Sequence, residues 1–183
     1  MANSIEASLD ALMSTLNSAS TGQSLTTAYE PAWPSPCYQL PDTASLKEGD
    51  QVSWVPVRQD SGNNFSQLED ALEITLDNQF KTFFTRYFAF NIAASAPQGP
   101  CELLQVISDD DFARLQENLI GHILMKRRLR QPETLFFGLT DDDNLILCVK
   151  NETGEVVLER VGKKGEEIVA DDLCTFLSAL NVD

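Results

Sequence analysis

Residues 134–161 read TLFFGLTDDDNLILCVKNETGEVVLERV. Three apolar runs, TLFFGL, NLILCVK and EVVLERV, are separated by TDDDN and NETG. Branched and aromatic residues suit a pleated strand, and Asp, Asn and Gly suit tight turns, so the stretch predicts three strands in an antiparallel meander. Such a sheet buries its apolar face only where other elements cover it, and the flanking sequence supplies them.

Upstream, residues 108–132 read SDDDFARLQENLIGHILMKRRLRQP. Ser108 and Asp111 have the spacing of an N-cap with an acidic first turn, and Pro132 cannot continue a helix, so one helix is predicted over residues 109–130. Asp109, Asp110 and Asp111 meet the positive end of the helix dipole. Lys126, Arg127, Arg128 and Arg130 meet the negative end, each such contact contributing roughly 0.3–1 kcal/mol. At about 100° per residue, Phe112, Leu115, Leu119 and Ile123 share a core face, with Gln116 and His122 at its margins. The opposite face carries Asp110, Arg114, Glu117 and Gly121, while Ala113, Ile120 and Leu124 widen the apolar area on one side. Gly121 costs about 1 kcal/mol relative to Ala inside a helix, which predicts close approach by another backbone. His122, the only histidine, is expected to be a hydrogen-bonded boundary residue.

Residues 3–18 place Ile5, Leu9, Leu12, Met13 and Leu16 at helical spacing, predicting an N-terminal helix within residues 1–20. Four prolines in AYEPAWPSPCYQLP (28–41) predict an extended segment pinned by Trp33 and Tyr38. QVSWVPV (51–57) alternates, and Pro56, unable to donate to a ladder, makes it an edge strand or ends it. Residues 65–88 set Leu68, Leu72, Leu76, Phe80, Phe83 and Phe84 on a helical period, as one bent helix or two, with phenylalanine dominating this part of the core. NIAAS and CELLQVI, joined by Ala-Pro-Gln-Gly-Pro, predict a hairpin, and ADDLCTFLSALNVD a short closing helix. The expected fold is α/β, of the α+β kind: a mostly antiparallel or mixed sheet packed by helices, in one domain over residues 1–183.

With 28 acids against 13 bases, the chain carries a formal net charge of −15. That charge repels nucleic-acid phosphate and anionic lipid at long range and suits a basic partner. No apolar run is long enough to span a bilayer, and residues 1–18 lack the basic and apolar regions of a secretory signal, so a cytoplasmic location is expected. Cys37, Cys101, Cys148 and Cys174 are widely spaced, as reduced buried thiols are.

Motifs for chemistry are missing. In TDDDNLILCVKNE (140–152), Asp141, Asp143 and Glu152 suggest a calcium loop, but Leu145 and Ile146 stand where a ligand and a glycine are needed. Phosphate-cradling, HExxH and GxSxG patterns do not occur, and one histidine with scattered cysteines makes no ordinary zinc site, so neither metal nor cofactor is expected. Cys37 and His122 are the one nucleophile and base available, which defines a thiol-hydrolase alternative. A binding protein is favoured over an enzyme.

WPSPC (33–37), DDFARLQENLIGH (110–122), KRRLRQPETLF (126–136), NETGEV (151–156) and DDLCTFLSAL (171–180) together resemble the Syd family of SecY-interacting proteins of gamma-proteobacteria, within the SUKH superfamily. The resemblance runs from about residue 30 onward, and QENLIGH is its most specific part. It implies a non-enzymatic α/β protein without cofactor, held peripherally at the cytoplasmic face of the inner membrane by binding SecY. There it would check or negatively regulate SecY that is not properly complexed. The family's acidic concave surface maps here onto Asp110, Asp111 and Glu117, with Glu69 and Glu73 as a second acidic stripe. Cytoplasmic loops of membrane proteins are rich in Lys and Arg, so an acidic protein is compatible with membrane attachment through a protein partner. The superfamily also offers an alternative, an immunity protein binding a basic toxin.

Overall fold

The structure, a computed structural model, describes residues 3–19, 25–40 and 45–182. Residues 1, 2 and 20 of the predicted first helix and Pro41 of the proline-rich segment lie outside them. In chain order the elements are α1 (Ile5–Ala19), β1 (Thr26–Ala28), β2 (Tyr38–Gln39), β3 (Gln51–Trp54), β4 (Val57–Arg58), α2 (Ser66–Leu72), α3 (Asn78–Thr85) and β5 (Tyr87–Phe88). Then follow β6 (Ile92–Ala96), β7 (Gly99–Leu103), α4 (Asp109–Arg128), β8 (Thr134–Thr140), β9 (Leu145–Lys150), β10 (Val156–Arg160), β11 (Gly165–Ala170) and α5 (Leu173–Ser178).

The predicted meander, β8 to β10, forms the middle of a six-stranded antiparallel sheet ordered β11-β10-β9-β8-β7-β6. The acidic connection between β8 and β9 is a turn, as expected: the Thr140 hydroxyl donates to the carbonyls of Asp142 and Leu145, and the Asn144 amide donates to the Asp142 carboxylate. The β6–β7 hairpin closes with Ala96 opposite Gly99, whose φ of 136° suits a glycine. In β8 the pairing with β9 slips between Phe136 and Gly138, leaving Phe137 as the extra residue of a bulge. Phe137 is fully buried, its ring 5.6 Å from Phe83 and 5.5 Å from Phe176. Gly138 has no room for a side chain: a Cβ there would lie 3.0 Å from Leu147 Cδ1 and 3.2 Å from the Glu102 carbonyl oxygen.

QVSW was expected to be an edge strand or to end at Pro56, and the second holds: β3 lies between β1 and β2 in a separate three-stranded sheet, and pairing stops at Trp54, so Pro56 never has to donate. Residues 65–88 form two helices, one of the two arrangements expected, followed by a strand that was not. Glu73 takes a left-handed φ of 51° and ends α2, the Asp77 carboxylate accepts from the Phe80 amide at 2.9 Å to start α3, and Tyr87–Phe88 pair with β4. Phe80, Phe83 and Phe84 are fully buried, as their spacing implied. Finally, β11 extends the sheet where no strand was expected, because KKGEEIVA carries no apolar–polar alternation and its Ile168 is 52% exposed on this edge strand.

α1 lays its buried stripe of Ile5, Leu9, Leu12, Met13 and Leu16 against α3 and α5. Ser8 Oγ lies 3.2 Å from Cys174 Sγ, and the same thiol donates to the Asn3 carbonyl at 3.0 Å. Asp10 fastens the helix to α3 and β5: it accepts from Arg86 Nε at 2.8 Å and Nη2 at 2.7 Å, and from the Tyr87 hydroxyl at 2.8 Å. The bidentate Arg86 contact holds the Asp10 carboxyl down to about 2.

Candidate functional site

The site is organised by α4. Ser108 is extended and its hydroxyl accepts from the Asp111 amide at 3.1 Å, while Asp111 Oδ2 reaches back to accept from the Ile107 amide at 2.9 Å. This reciprocal cap starts the helix where predicted. The other end falls two residues short of residue 130: Leu129 is the C-cap and Arg130 is left-handed at φ 55°. Phe112, Leu115, Leu119 and Ile123 face the core, Gln116 and His122 are half-buried, and Asp110, Arg114, Glu117 and Gly121 are exposed, so the predicted faces are correct. Gly121 is not a close approach, since a Cβ there meets nothing within 4 Å.

The five acids expected to meet a partner differ in what holds them. Asp110 and Glu117 stand on the outer face of α4 with no ion pair or side-chain hydrogen bond among the described residues. Asp111 is buried and occupied, accepting from Ile107 and, at 2.6 Å, from Arg114 Nη2. Glu69 accepts from the Leu76 amide at 2.9 Å and pairs with Lys81 at 3.3 Å, so it braces the α2–α3 junction. Glu73 is exposed at the turn after α2, and with Glu69 and Asp70 borders a shallow depression of its own.

Beside α4 lies a cleft of about 540 Å³. Its walls come from β1, from Trp54 on β3, from residues 90–91, Glu102 and residues 104–107, from Phe136 on β8, and from Asp111, Arg114, Leu115 and Asn118 on α4. Trp33, expected to pin the proline-rich segment, does so on the helix: the Arg114 guanidinium lies 4.3 Å from its ring centroid. Ser35, two residues on, donates to the Ile107 carbonyl at 2.7 Å and ties the same segment to the α4 cap. Sequence periodicity had no access to this cleft, because its lining is drawn from separate segments that meet only in the fold.

Behind α4 is a buried polar network that the sequence reading missed. Lys126, read as a dipole partner, is instead fully buried: its ammonium donates to Glu159 Oε1 at 2.6 Å and to the Lys163 carbonyl at 2.9 Å. A glutamate inside the apolar strand EVVLERV was the available signal. Next to it, His122 Nε2 lies 3.0 Å from Thr134 Oγ1, with its ring edge-on to Phe136, which makes it the satisfied boundary residue expected. Burial pushes the His122 pKa down, and burial together with the Glu159 charge pushes the Cys148 thiol well up. Ligand-capable atoms of His122, Cys148 and Glu159 lie within 4.8 Å of one another. A cation there would face the Lys126 ammonium on the carboxylate it needs, so the geometry suits a hydrogen-bonded core network rather than a metal centre.

The thiol-hydrolase pairing is not assembled. Cys37 is buried just before β2, its pKa raised by burial, with its amide on Ser35 Oγ, whereas His122 on α4 neighbours Cys148 on β9. All four cysteines are free and buried, as expected. Among the described residues, no helix is long and apolar enough to cross a membrane.

Comparison with known proteins matches the family model described as Syd protein (SUKH-2) to residues 6–181. Protein Syd of Alteromonas mediterranea is 49% identical over 181 residues, covering 99% of this chain and 98% of that relative. Protein Syd of Pseudoalteromonas atlantica is 46% identical over 152 residues, covering 83% and 81%. Protein Syd of Erwinia tasmaniensis is 40% identical over 147 residues, covering 80% and 76%. With nearly its whole length matched by the family model and by relatives at these identities, the chain belongs to the Syd protein (SUKH-2) family.

Proposed function

We propose that the chain is a non-enzymatic binding protein that associates with SecY at the cytoplasmic face of the inner membrane, through an acidic surface that reads basic cytoplasmic loops. Family membership supports this reading, as does the formal net charge of −15. The observation that carries it is the outer face of α4, where Asp110 and Glu117 are exposed and unpaired among the described residues. Two unpaired carboxylates on a rigid helix attract Lys- and Arg-rich loops and lose nothing internal on binding. Glu73 adds a peripheral acid, while Asp111 and Glu69 act by holding the scaffold. A protein that prefers SecY lacking its normal partners would serve as a check on the translocase.

Binding of the purified protein to detergent-solubilised SecYEG, measured across a salt series, tests the proposal. Tight binding should fade as salt screens exposed charges, and the Asp110→Lys/Glu117→Lys variant should bind about tenfold or more weakly while its melting temperature falls by no more than a few degrees, the share Asp110 owes to the helix dipole. No binding at low salt would overturn the SecY reading and leave the superfamily's toxin-binding role as the one to test. Undiminished binding by the variant would remove this helix face from the interface.

A further inference from the structure

The charge of this acidic chain is unevenly spread, and one end of the molecule is basic. Seven of its 13 Lys and Arg residues fall in residues 126–130 and 160–164, two segments that contain no acid. The fold locks these segments together. Lys126 Nζ donates to the Lys163 carbonyl at 2.9 Å and Gln131 Nε2 donates to the Gly162 carbonyl at 3.1 Å, which holds the end of α4 against the β10–β11 turn. Three of the seven cations are used internally: Lys126 pairs with Glu159, Arg127 with Glu133 and Arg160 with Asp142. The other four, Arg128, Arg130, Lys163 and Lys164, are exposed and make no ion pair or side-chain hydrogen bond among the described residues. The helix dipole accounts for a cation at Arg128, but not for Lys163 and Lys164, which belong to another element.

Two large apolar side chains stand among these cations: Leu129 is 46% exposed and Val161 55% exposed. Each of the six residues lies within two positions of a residue in the two locking contacts. Exposed aliphatic groups set among unpaired cations fit a phospholipid surface, whose phosphates take the charges and whose acyl boundary takes the apolar groups. A nucleic acid offers the phosphates without the apolar layer, and its bases stack on aromatic rings, which neither segment contains. The formal net charge of −15 opposes an anionic membrane at long range but not at contact. α4 has 20 residues and is about 30 Å long, whereas charges are screened over about 8 Å at physiological salt, so its acidic first turn lies more than three screening lengths from Arg128. Nearer by, Asp141 and Asp143 are exposed on the β8–β9 turn, which Val161 joins through its amide on the Asn144 carbonyl, and they bound the patch on one side.

We infer that this basic end, built from the C-terminus of α4 and the β10–β11 turn, docks directly on an anionic phospholipid surface, with Leu129 and Val161 entering the headgroup layer. The contact needs no SecY. It gives the chain a foothold on the bilayer that is separate from the acidic outer face of α4.

The experiment is flotation of the full chain, without SecYEG, on vesicles of phosphatidylglycerol mixed with phosphatidylcholine and on phosphatidylcholine alone, at low and at high salt. The chain should float with the anionic vesicles at low salt and lose that binding as salt rises. Each cation at such a surface is worth about fivefold in partitioning, so Lys163→Ser/Lys164→Ser should bind roughly 25-fold more weakly. Leu129→Ser/Val161→Ser should weaken binding by about fivefold or more and leave its salt dependence unchanged. All four positions are exposed, so both variants should melt with the parent protein and bind detergent-solubilised SecYEG as it does. No flotation with anionic vesicles at low salt, equal flotation with phosphatidylcholine alone, or full binding by both variants would overturn the inference. So would binding of polyuridylate, in place of vesicles, that is lost in the lysine variant, because the patch would then read RNA. Loss of SecYEG binding in detergent by both variants would also overturn it and assign the patch to SecY. Vesicle binding that behaves as expected in a chain that does not bind SecYEG would refute the SecY reading and support this one.

Discussion

Replacing Lys126 by Met removes one charge from a pair whose members are both 0% exposed and 2.6 Å apart. Deleting one partner of such a pair typically costs about 3–5 kcal/mol, because the surviving charge stays buried without compensation. Here the remaining Glu159 has little else to turn to, since its Oε2 already lacks a hydrogen-bond partner. For a chain of 183 residues, each kcal/mol shifts the melting temperature by about 2–4 °C, so the expected loss is roughly 6–20 °C. Replacing both residues, as Lys126→Met/Glu159→Leu, should cost far less than either single change. Urea denaturation of the four proteins at pH 8 measures this. A single-variant cost under about 1 kcal/mol at pH 8, or a double variant as costly as the two singles summed, would refute the reasoning.

Two glycines should respond with opposite signs in thermal melts. Gly121→Ala, exposed within a helix and with open space around its Cβ, should stabilise by about 0.5–1 kcal/mol. Gly138→Ala, with Leu147 at 3.0 Å and the Glu102 carbonyl at 3.2 Å, should destabilise by about 1–3 kcal/mol, because a backbone oxygen in a sheet cannot step aside. Asp10→Asn should cost about 1 kcal/mol at pH 7: the drop from 3.8 to about 2 is discounted because the side chain is 43% exposed. Since the Asp10 carboxyl is held below its unfolded value, that contribution is complete above about pH 4, so parent and variant should converge in acid unfolding as pH falls to about 2.

Local signals in the sequence were reliable wherever local chemistry decides structure. Ser108 and Asp111 cap α4 in the predicted way, and TDDDN and NETG turn the chain between strands that pair as a meander. The errors arise where tertiary context decides. Gly121 suggested a neighbour that is absent, whereas Gly138, inside a strand, has the close neighbours. Lys126 sits among basic residues that suit the helix dipole, but it is the one whose position turns it inward to Glu159. Of the five candidate acids, spacing placed Asp110 and Glu117 correctly on an exposed face. It had no means of showing that Asp111 and Glu69 are taken up by internal partners, or that Gln105 ends buried with its oxygen unpaired.

The docking of α1 sets an order of events during synthesis. Its Ser8 meets Cys174, 166 residues later, so α1 has to wait for α5 before its surface is fully covered. At about 5–20 residues per second that wait is roughly 8–33 s, during which the part of its apolar stripe that α5 covers lies open to chaperones and to other nascent chains. The Asp10–Arg86–Tyr87 clasp is complete once Tyr87 has emerged, well before Cys174. It gives the helix a provisional mooring on α3 and β5 before α5 exists to seal it.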